Sequence, residues 1–303
     1  MTTDWARAAL RALDRQEDAA LVSILAIAGS APREAGVRML VTRDELAGTI
    51  GGGNLEMQAL RQARMALDHP KGSWRVQDYP LGPFLQQCCG GKVRLLIEHL
   101  DEGQRDWIAA LAEPGRHDFT THFLSDRLER DLSIMSDAAP ANAKDAAPQA
   151  GTVIRESSGM PLEPLFMAGA GHVGVAIAKT LQGLPFALDW RDTRPEMAAA
   201  SAAHLATAEE LIAVAGASTG LVLILTHDHA LDYELTKAAL QGNARFVGVI
   251  GSATKSARFR SRLAKDGVAD ARFHCPIGLP GIAGKEPAII AVAVAAQLLQ
   301  LPR

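Results

Sequence analysis

The chain has 303 residues, 48% hydrophobic and 21% charged, with 31 basic and 34 acidic side chains and a formal net charge of −3. That length exceeds what one hydrophobic core usually serves, so two domains are expected, and the composition is that of a folded rather than a disordered chain. The near-balanced charge, spread without a long basic run, excludes a surface built for nucleic acid or for an anionic membrane.

Asp4, Arg7, Arg11 and Asp14 interrupt the start of the chain, which excludes an ordinary secretory signal. No apolar stretch approaches the ~20 residues of a membrane span. Three cysteines, two of them adjacent, cannot make a disulfide framework, which fits a reducing compartment. The cytoplasm is the expected location.

In chain order, Asp4 is placed to cap a first helix with Trp5, Ala9, Leu10 and Leu13 on one face. Leu21 to Ala28 reads as a buried strand that ends in the turn Gly29 to Gly36. Val37 to Thr42 and Ala47 to Ile50 read as a strand pair around Arg43-Asp44-Glu45. Gly51-Gly52-Gly53 follows, and Asn54 is expected to cap a helix reaching about Asp68. Strands are expected at Trp74 to Tyr79 and Val93 to His99, with the cysteine-bearing loop Leu81 to Gly91 between them. From Asp101 to Ser158 the signals weaken. The alanine- and proline-rich Ser136 to Gly151 reads as a linker or mobile loop.

From Pro164 the pattern becomes strand, glycine turn, helix, strand. Leu165 to Ala168 lead into Gly169-Ala170-Gly171-His172-Val173-Gly174, then a helix to about Gly183 and a strand at Phe186 to Trp190, while Leu221 to Thr226 and Phe246 to Ile250 are apolar enough for central parallel strands. Helices are expected over Thr207 to Ala215, over Ser252 to Lys265 with a stop at Gly267, and after Pro287. The fold class is therefore α/β: an N-terminal α+β domain followed by a Rossmann-like, doubly wound parallel sheet.

Gly169, Gly171 and Gly174 give G-x-G-x-x-G between a strand and a helix, where glycines let a phosphate approach the helix start. Asp192 stands at the spacing of an acid that binds ribose hydroxyls, and Arg194 nearby suits a phosphate instead. The glycines also read as a packing device, and His172 either lines the crevice or covers the helix start. Thr226 to His229 offers helix capping or, less readily for adjacent side chains, a metal site. Cys275 and the loop after it fall at the same strand ends, and Lys285 precedes the last helix as an anion contact or a solvated cation.

In the first half, Gly51, Gly52 and Gly53 form a helix start whose amides suit an anion. Cys88 and Cys89 precede two glycines, so a thiol there stands where a ligand approaches closely. Arg33 or Arg38 would favour its thiolate if the loops converge. One of the pair reads as a buried small hydrophobe and the other as functional, without distinction between them.

GSAPREAG (29–36), GTIGGGNLE (48–56) and LGPFLQQCCGG (81–91) together resemble the N-terminal domain of the XdhC/CoxI family. MAGAGHVG (167–174), WRDTR (190–194), LTHDHALD (225–232), FVGVIGSATKSARF (246–259) and CPIGLPGIAGKEPAIIAVAVAAQLL (275–299) resemble that family's Rossmann domain. The resemblance divides the chain into an XdhC/CoxI-type domain at 1–100, a variable segment and linker at 101–160, and a Rossmann-like domain at 161–303. It implies a chaperone without turnover that binds molybdenum cofactor (Mo-molybdopterin), shields it, supports its sulfuration with a cysteine desulfurase and delivers it to apo xanthine dehydrogenase. Its implied contacts are Cys88 or Cys89 on molybdenum or its sulfur, with Arg33 and Gly51 to Gly53 on anionic groups. Gly169, Gly171, His172, Gly174, Asp192 and Cys275 follow in the second domain, whose ligand is either the pterin or a nucleotide. The competing expectation is an NAD(P)-dependent oxidoreductase using the glycine turn, with His227 or His229 for proton transfer. The small-residue helix at 287–299 suits a core or a homodimer contact.

Overall fold

The structure is a computed structural model and describes residues 4–82, 90–133, 135 and 137–302, so Cys88 and Cys89 lie outside the described residues. The chain forms two compact units, Met1–Pro161 and Leu162–Arg303.

The first unit opens with helix α1 (Asp4–Asp14) and strand β1 (Ala20–Ala28), followed by β2 (Arg38–Val41), β3 (Leu46–Gly48), helix α2 (Gly53–Ala66), β4 (Trp74–Pro80) and β5 (Lys92–His99). These strands make one antiparallel sheet in the order β3-β2-β1-β5-β4. Successive residues of β1 face opposite sides, as the pleat requires. Val22 and Ile24 join Met39, Leu95 and Ile97 under the Leu55, Ala59 and Ala63 stripe of α2. Leu21, with Leu40, packs instead against Trp5 and Ala9 of α1. Both faces are covered, so the strands read as apolar runs rather than as an alternation. Helix α2 begins one residue before Asn54, with Gly52 in the cap position.

The segment 101–160, expected as a variable region and linker, folds inside this unit. It supplies helix α3 (Arg105–Ala112) and strands β6 (Arg116–Phe123), β7 (Leu128–Asp131) and β8 (Val153–Gly159), an antiparallel sheet ordered β7-β6-β8. Its core is partly ionic, which is why apolar periodicity did not announce it. Arg38 donates to Glu156 at 2.9 Å, and Arg130 donates twice to Glu98 at 2.6 and 2.8 Å. The Arg130 guanidinium lies 4.0 Å from the Trp107 ring centroid. The alanine- and proline-rich stretch is held by Arg94, which donates to the carbonyls of Asn142 (3.1 Å), Asp145 (2.9 Å) and Ala146 (3.0 Å). The other edge of the same guanidinium grips Asp78 through two bonds.

The second unit is a parallel sheet with helices on both faces. Its elements are β9 (Glu163–Ala168), α4 (His172–Thr180), β10 (Phe186–Asp192), α5 (Pro195–Ala199), β11 (His204–Leu205), α6 (Ala208–Ala217), β12 (Leu221–Ile224), α7 (His229–Gln241), β13 (Phe246–Val249), α8 (Ala253–Lys265), β14 (Phe273–His274) and α9 (Pro287–Leu299). The strand order is β11-β10-β9-β12-β13-β14, all parallel. Chain progression reverses between β9 and β12, and open sheets bind ligands beyond the carboxyl ends of strands at such a switch point. Leu211, Leu235 and Leu263 from α6, α7 and α8 cover one face, while Ile177 of α4 and Ala291 and Val294 of α9 cover the other. The α9 stripe is therefore core, with Val292 and Leu299 left outside it. Among the described residues, no helix is long and apolar enough to cross a membrane.

Candidate functional site

In the first unit, three glycine-bearing loops are packed on one another. Gly91 presses on the chain after β1, because a Cβ there would lie 2.2 Å from the Ser30 carbonyl oxygen and 2.7 Å from that of Ala28. A Cβ on Gly51 would meet the Pro32 ring at 3.0 Å and Arg33 Cγ at 3.3 Å. Gly51, Gly52 and Gly53 all take positive φ (123°, 75° and 65°), which side chains with a Cβ resist. These glycines bring 29–34, 51–53 and 90–91 together. Gly90 and Gly91 directly follow the cysteine pair in sequence.

Part of the triple-glycine turn, expected as an anion contact, is already bonded within the chain. One oxygen of Glu56 already accepts the N–H groups of Ile50 (3.0 Å) and Gly52 (3.1 Å) and the hydroxyl of Thr49. The Gly51 amide donates to the Thr49 hydroxyl at 3.1 Å. Arg38 is also removed from the site, because it is buried between Glu156 and the rings of Trp5, Trp107 and Phe119. Arg33 is different: it is exposed and has no bonded partner among the described residues.

In the second unit, the turn after β9 is built by close approach. A Cβ on Gly169 would stand 2.4 Å from the Leu225 carbonyl oxygen, and one on Gly174 would stand 2.3 Å from the Gly169 oxygen. Trp190 donates its indole N–H to that same Gly169 oxygen at 2.9 Å. Gly169 and Gly174 thus serve packing, while nothing crowds Gly171. His172 is exposed at the first residue of α4.

Asp192 does not stand free for a ribose. Its buried carboxylate accepts the Ala170 amide, the Arg194 amide at 2.8 Å and the Arg194 guanidinium at 2.9 and 2.8 Å. Burial pushes its pKa up, but the Arg194 side chain and the two amides outweigh that and hold it below the usual carboxylate range. This is a fastening of the glycine turn to the end of β10.

Among the polar residues after β12, Asp228 caps α7, accepting from Ala230 N–H at 2.7 Å and Leu231 N–H at 3.3 Å. No group of three or more His, Cys, Asp or Glu side chains is placed to hold a metal ion among the described residues. His227 and Asp228 instead line a cleft of about 630 Å³ together with Thr193, Pro195, Leu205 and Leu231. Cys275 is half-buried, and burial pushes its thiol above the usual value against the pull of Lys255 and Arg260. Lys285 is exposed on the loop before α9.

Sequence reasoning passed over Glu56, Asp232 and Lys255. Each sits in the first turn of a helix that follows a strand end or glycine turn, and that placement was the available signal.

The profile of the XdhC and CoxI family matches residues 12–80, and that of the XdhC Rossmann domain matches residues 165–298. No curated protein matches the chain. A crystal structure of a xanthine dehydrogenase from Bacillus halodurans superposes with a TM-score of 0.73 at 19% identity, covering 99% of this chain and 95% of that one. At that identity the likeness speaks for the fold.

Proposed function

Because the chain belongs to the XdhC and CoxI family, we propose that it serves the maturation of xanthine dehydrogenase as a carrier of molybdenum cofactor rather than as an enzyme. It takes the cofactor up as cargo, keeps it from water while its terminal sulfur is installed with a cysteine desulfurase, and passes it to the apo dehydrogenase in the cytoplasm. The observation that supports this reading most is the convergence of three glycine loops beside Arg33, which is exposed and has no bonded partner among the described residues.

The cargo presents a phosphate, a hydrogen-bonding pterin and a sulfur-ligated metal. Arg33 is the cation for its anionic groups, because a planar guanidinium binds phosphate oxygens in pairs. The Gly51 to Gly53 turn supplies spacing, with the Gly51 amide held by Thr49 and the Gly52 amide by Glu56. Cys88 or Cys89, next in sequence to Gly90, is the soft ligand for molybdenum or its sulfur. The oxidoreductase alternative loses its ribose acid, since the Asp192 oxygens are bonded within the turn.

The test is anaerobic expression in cells that make molybdenum cofactor, with molybdenum and oxidised-pterin fluorescence measured on the purified chain. Substoichiometric cofactor is expected in wild type. It should be lost in Cys88→Ala/Cys89→Ala and reduced at least tenfold in Arg33→Ala, about the effect of one charged hydrogen-bond contact. Absence of both signals from wild type, even after free cofactor is added, overturns the carrier reading.

A further inference from the structure

The cleft beyond β10 and β12 has a wall that the fold itself does not use. Three apolar side chains from three elements share it: Pro195 of α5, Leu205 of β11 and Leu231 of α7. Leu205 is 58% exposed, the highest value for a large apolar side chain among the described residues. A lone exposed leucine carries no meaning. Three apolar groups lining one concavity of about 630 Å³ do, because small-molecule sites have that size and that kind of lining.

The polar part of the lining is rich in acceptors. Glu210 takes the Thr207 amide on one oxygen at 2.8 Å, and its other oxygen bonds nothing among the described residues. Asp228 takes two α7 amides on one oxygen and leaves the other unbonded among the described residues. Those amide bonds hold its carboxyl below the usual carboxylate range, so it stays ionised. The Thr193 hydroxyl and the His227 ring have no hydrogen-bond partner among the described residues. No Lys or Arg stands in the lining among those residues. The adjoining starts of α6 and α7 are already capped by Thr207 and Asp228. Two carboxylates without a cation, beside helix starts already capped, disfavour a phosphate. They favour an uncharged ring that offers N–H groups, because an ionised carboxylate only accepts.

We propose that this cleft binds the ring of an amino-oxo-pyrimidine heterocycle, with Pro195, Leu205 and Leu231 against its flat faces and Glu210 and Asp228 accepting its N–H groups. Guanine and pterins share that edge, where a ring N–H stands beside an amino group. Adenine sets acceptor nitrogens beside its amino group instead. The cleft lies wholly in the second unit and stands whether or not the carrier reading does.

Equilibrium dialysis of the full chain against biopterin, guanosine and adenosine, none of them phosphorylated, tests it. Saturable binding of biopterin or guanosine is expected, about fivefold or more tighter than that of adenosine. Glu210→Gln/Asp228→Asn removes both charges and keeps both caps, since Gln and Asn serve those positions. It should weaken the better ring about tenfold or more. Leu205→Ser changes an exposed side chain on an edge strand, outside the core, and should weaken the same ring about fivefold. No saturable binding of biopterin or guanosine, adenosine binding as tightly as either, or unchanged affinity in either folded variant overturns the proposal. The tighter of biopterin and guanosine names the source of the ring.

Discussion

Replacing Arg38 by Met puts the ionic core of the first unit under direct test. Arg38 and Glu156 have side-chain exposures of 0% and 6%, and the guanidinium also donates to the Gly36 carbonyl at 2.9 Å. Removing the cation leaves a carboxylate whose remaining hydrogen-bond partner among the described residues is the Thr121 hydroxyl at 2.6 Å, with Arg130 near enough to interact only through its charge. A charge left unpaired in this way costs about 3–5 kcal/mol. Adding Glu156→Gln removes the stranded charge and keeps an acceptor for Thr121. The residual cost is then mostly the orphaned Gly36 carbonyl, about 1–3 kcal/mol. The double variant should therefore be more stable than Arg38→Met alone. Urea unfolding followed by tryptophan fluorescence reads this, since Trp5 and Trp107 lie within 5.6 and 5.4 Å of the Arg38 guanidinium. If Arg38→Met unfolds within about 1 kcal/mol of wild type, or if the two single costs simply add in the double variant, the pair is not the buried unit described.

Asp192 gives a pH prediction. Its folded pKa is lowered, so its stabilising effect is present above the ordinary carboxylate value and is lost as pH falls through the lowered one. The Tm gap between wild type and Asp192→Asn should stay level above about pH 5 and close below about pH 4; a gap that widens on acidification contradicts the assignment. Gly91→Ala places a methyl against the Ser30 and Ala28 carbonyls and should cost about 1–3 kcal/mol in urea unfolding. It should also lower cofactor loading, and full loading would show that the loops need not converge. Asp228→Ala removes two bonds at the start of α7 and should cost about 1 kcal/mol, with no loss counting against the capping role.

The parallel sheet was readable because β12 and β13 are buried on both faces, giving the runs Leu221 to Ile224 and Phe246 to Val249. Turn chemistry marked its helices equally well: Thr207 with Glu210 at α6, Pro287 at α9 and Gly267 after α8. The strands of the second antiparallel sheet gave no such signal. Strand β6 reads RHDFTTHF, and its sheet buries Glu156, Thr121 and the Arg130 side chain, whose partners lie tens of residues away. The site was legible in the same uneven way. Motifs located the loops, but only coordinates show that Glu56 accepts the Gly52 amide of the triple-glycine turn and that Arg194 has already claimed Asp192. A residue type states what chemistry is available, and its local partners decide whether that chemistry is still free.

Arg94 has a practical consequence for anyone re-engineering this chain. Among the described residues its guanidinium bonds join Asp78 on β4 to the carbonyls of 142, 145 and 146, so a stretch whose composition invites trimming is a strap tied at its middle. A reporter domain or protease site inserted between 141 and 147 would untie it and leave the Arg94 guanidinium held by Asp78 alone. The exposed turn at Asp126-Arg127 has surface ion pairs on its side chains and one backbone bond, from Leu124 N–H to the Arg127 carbonyl at 3.0 Å, and is the safer place to graft.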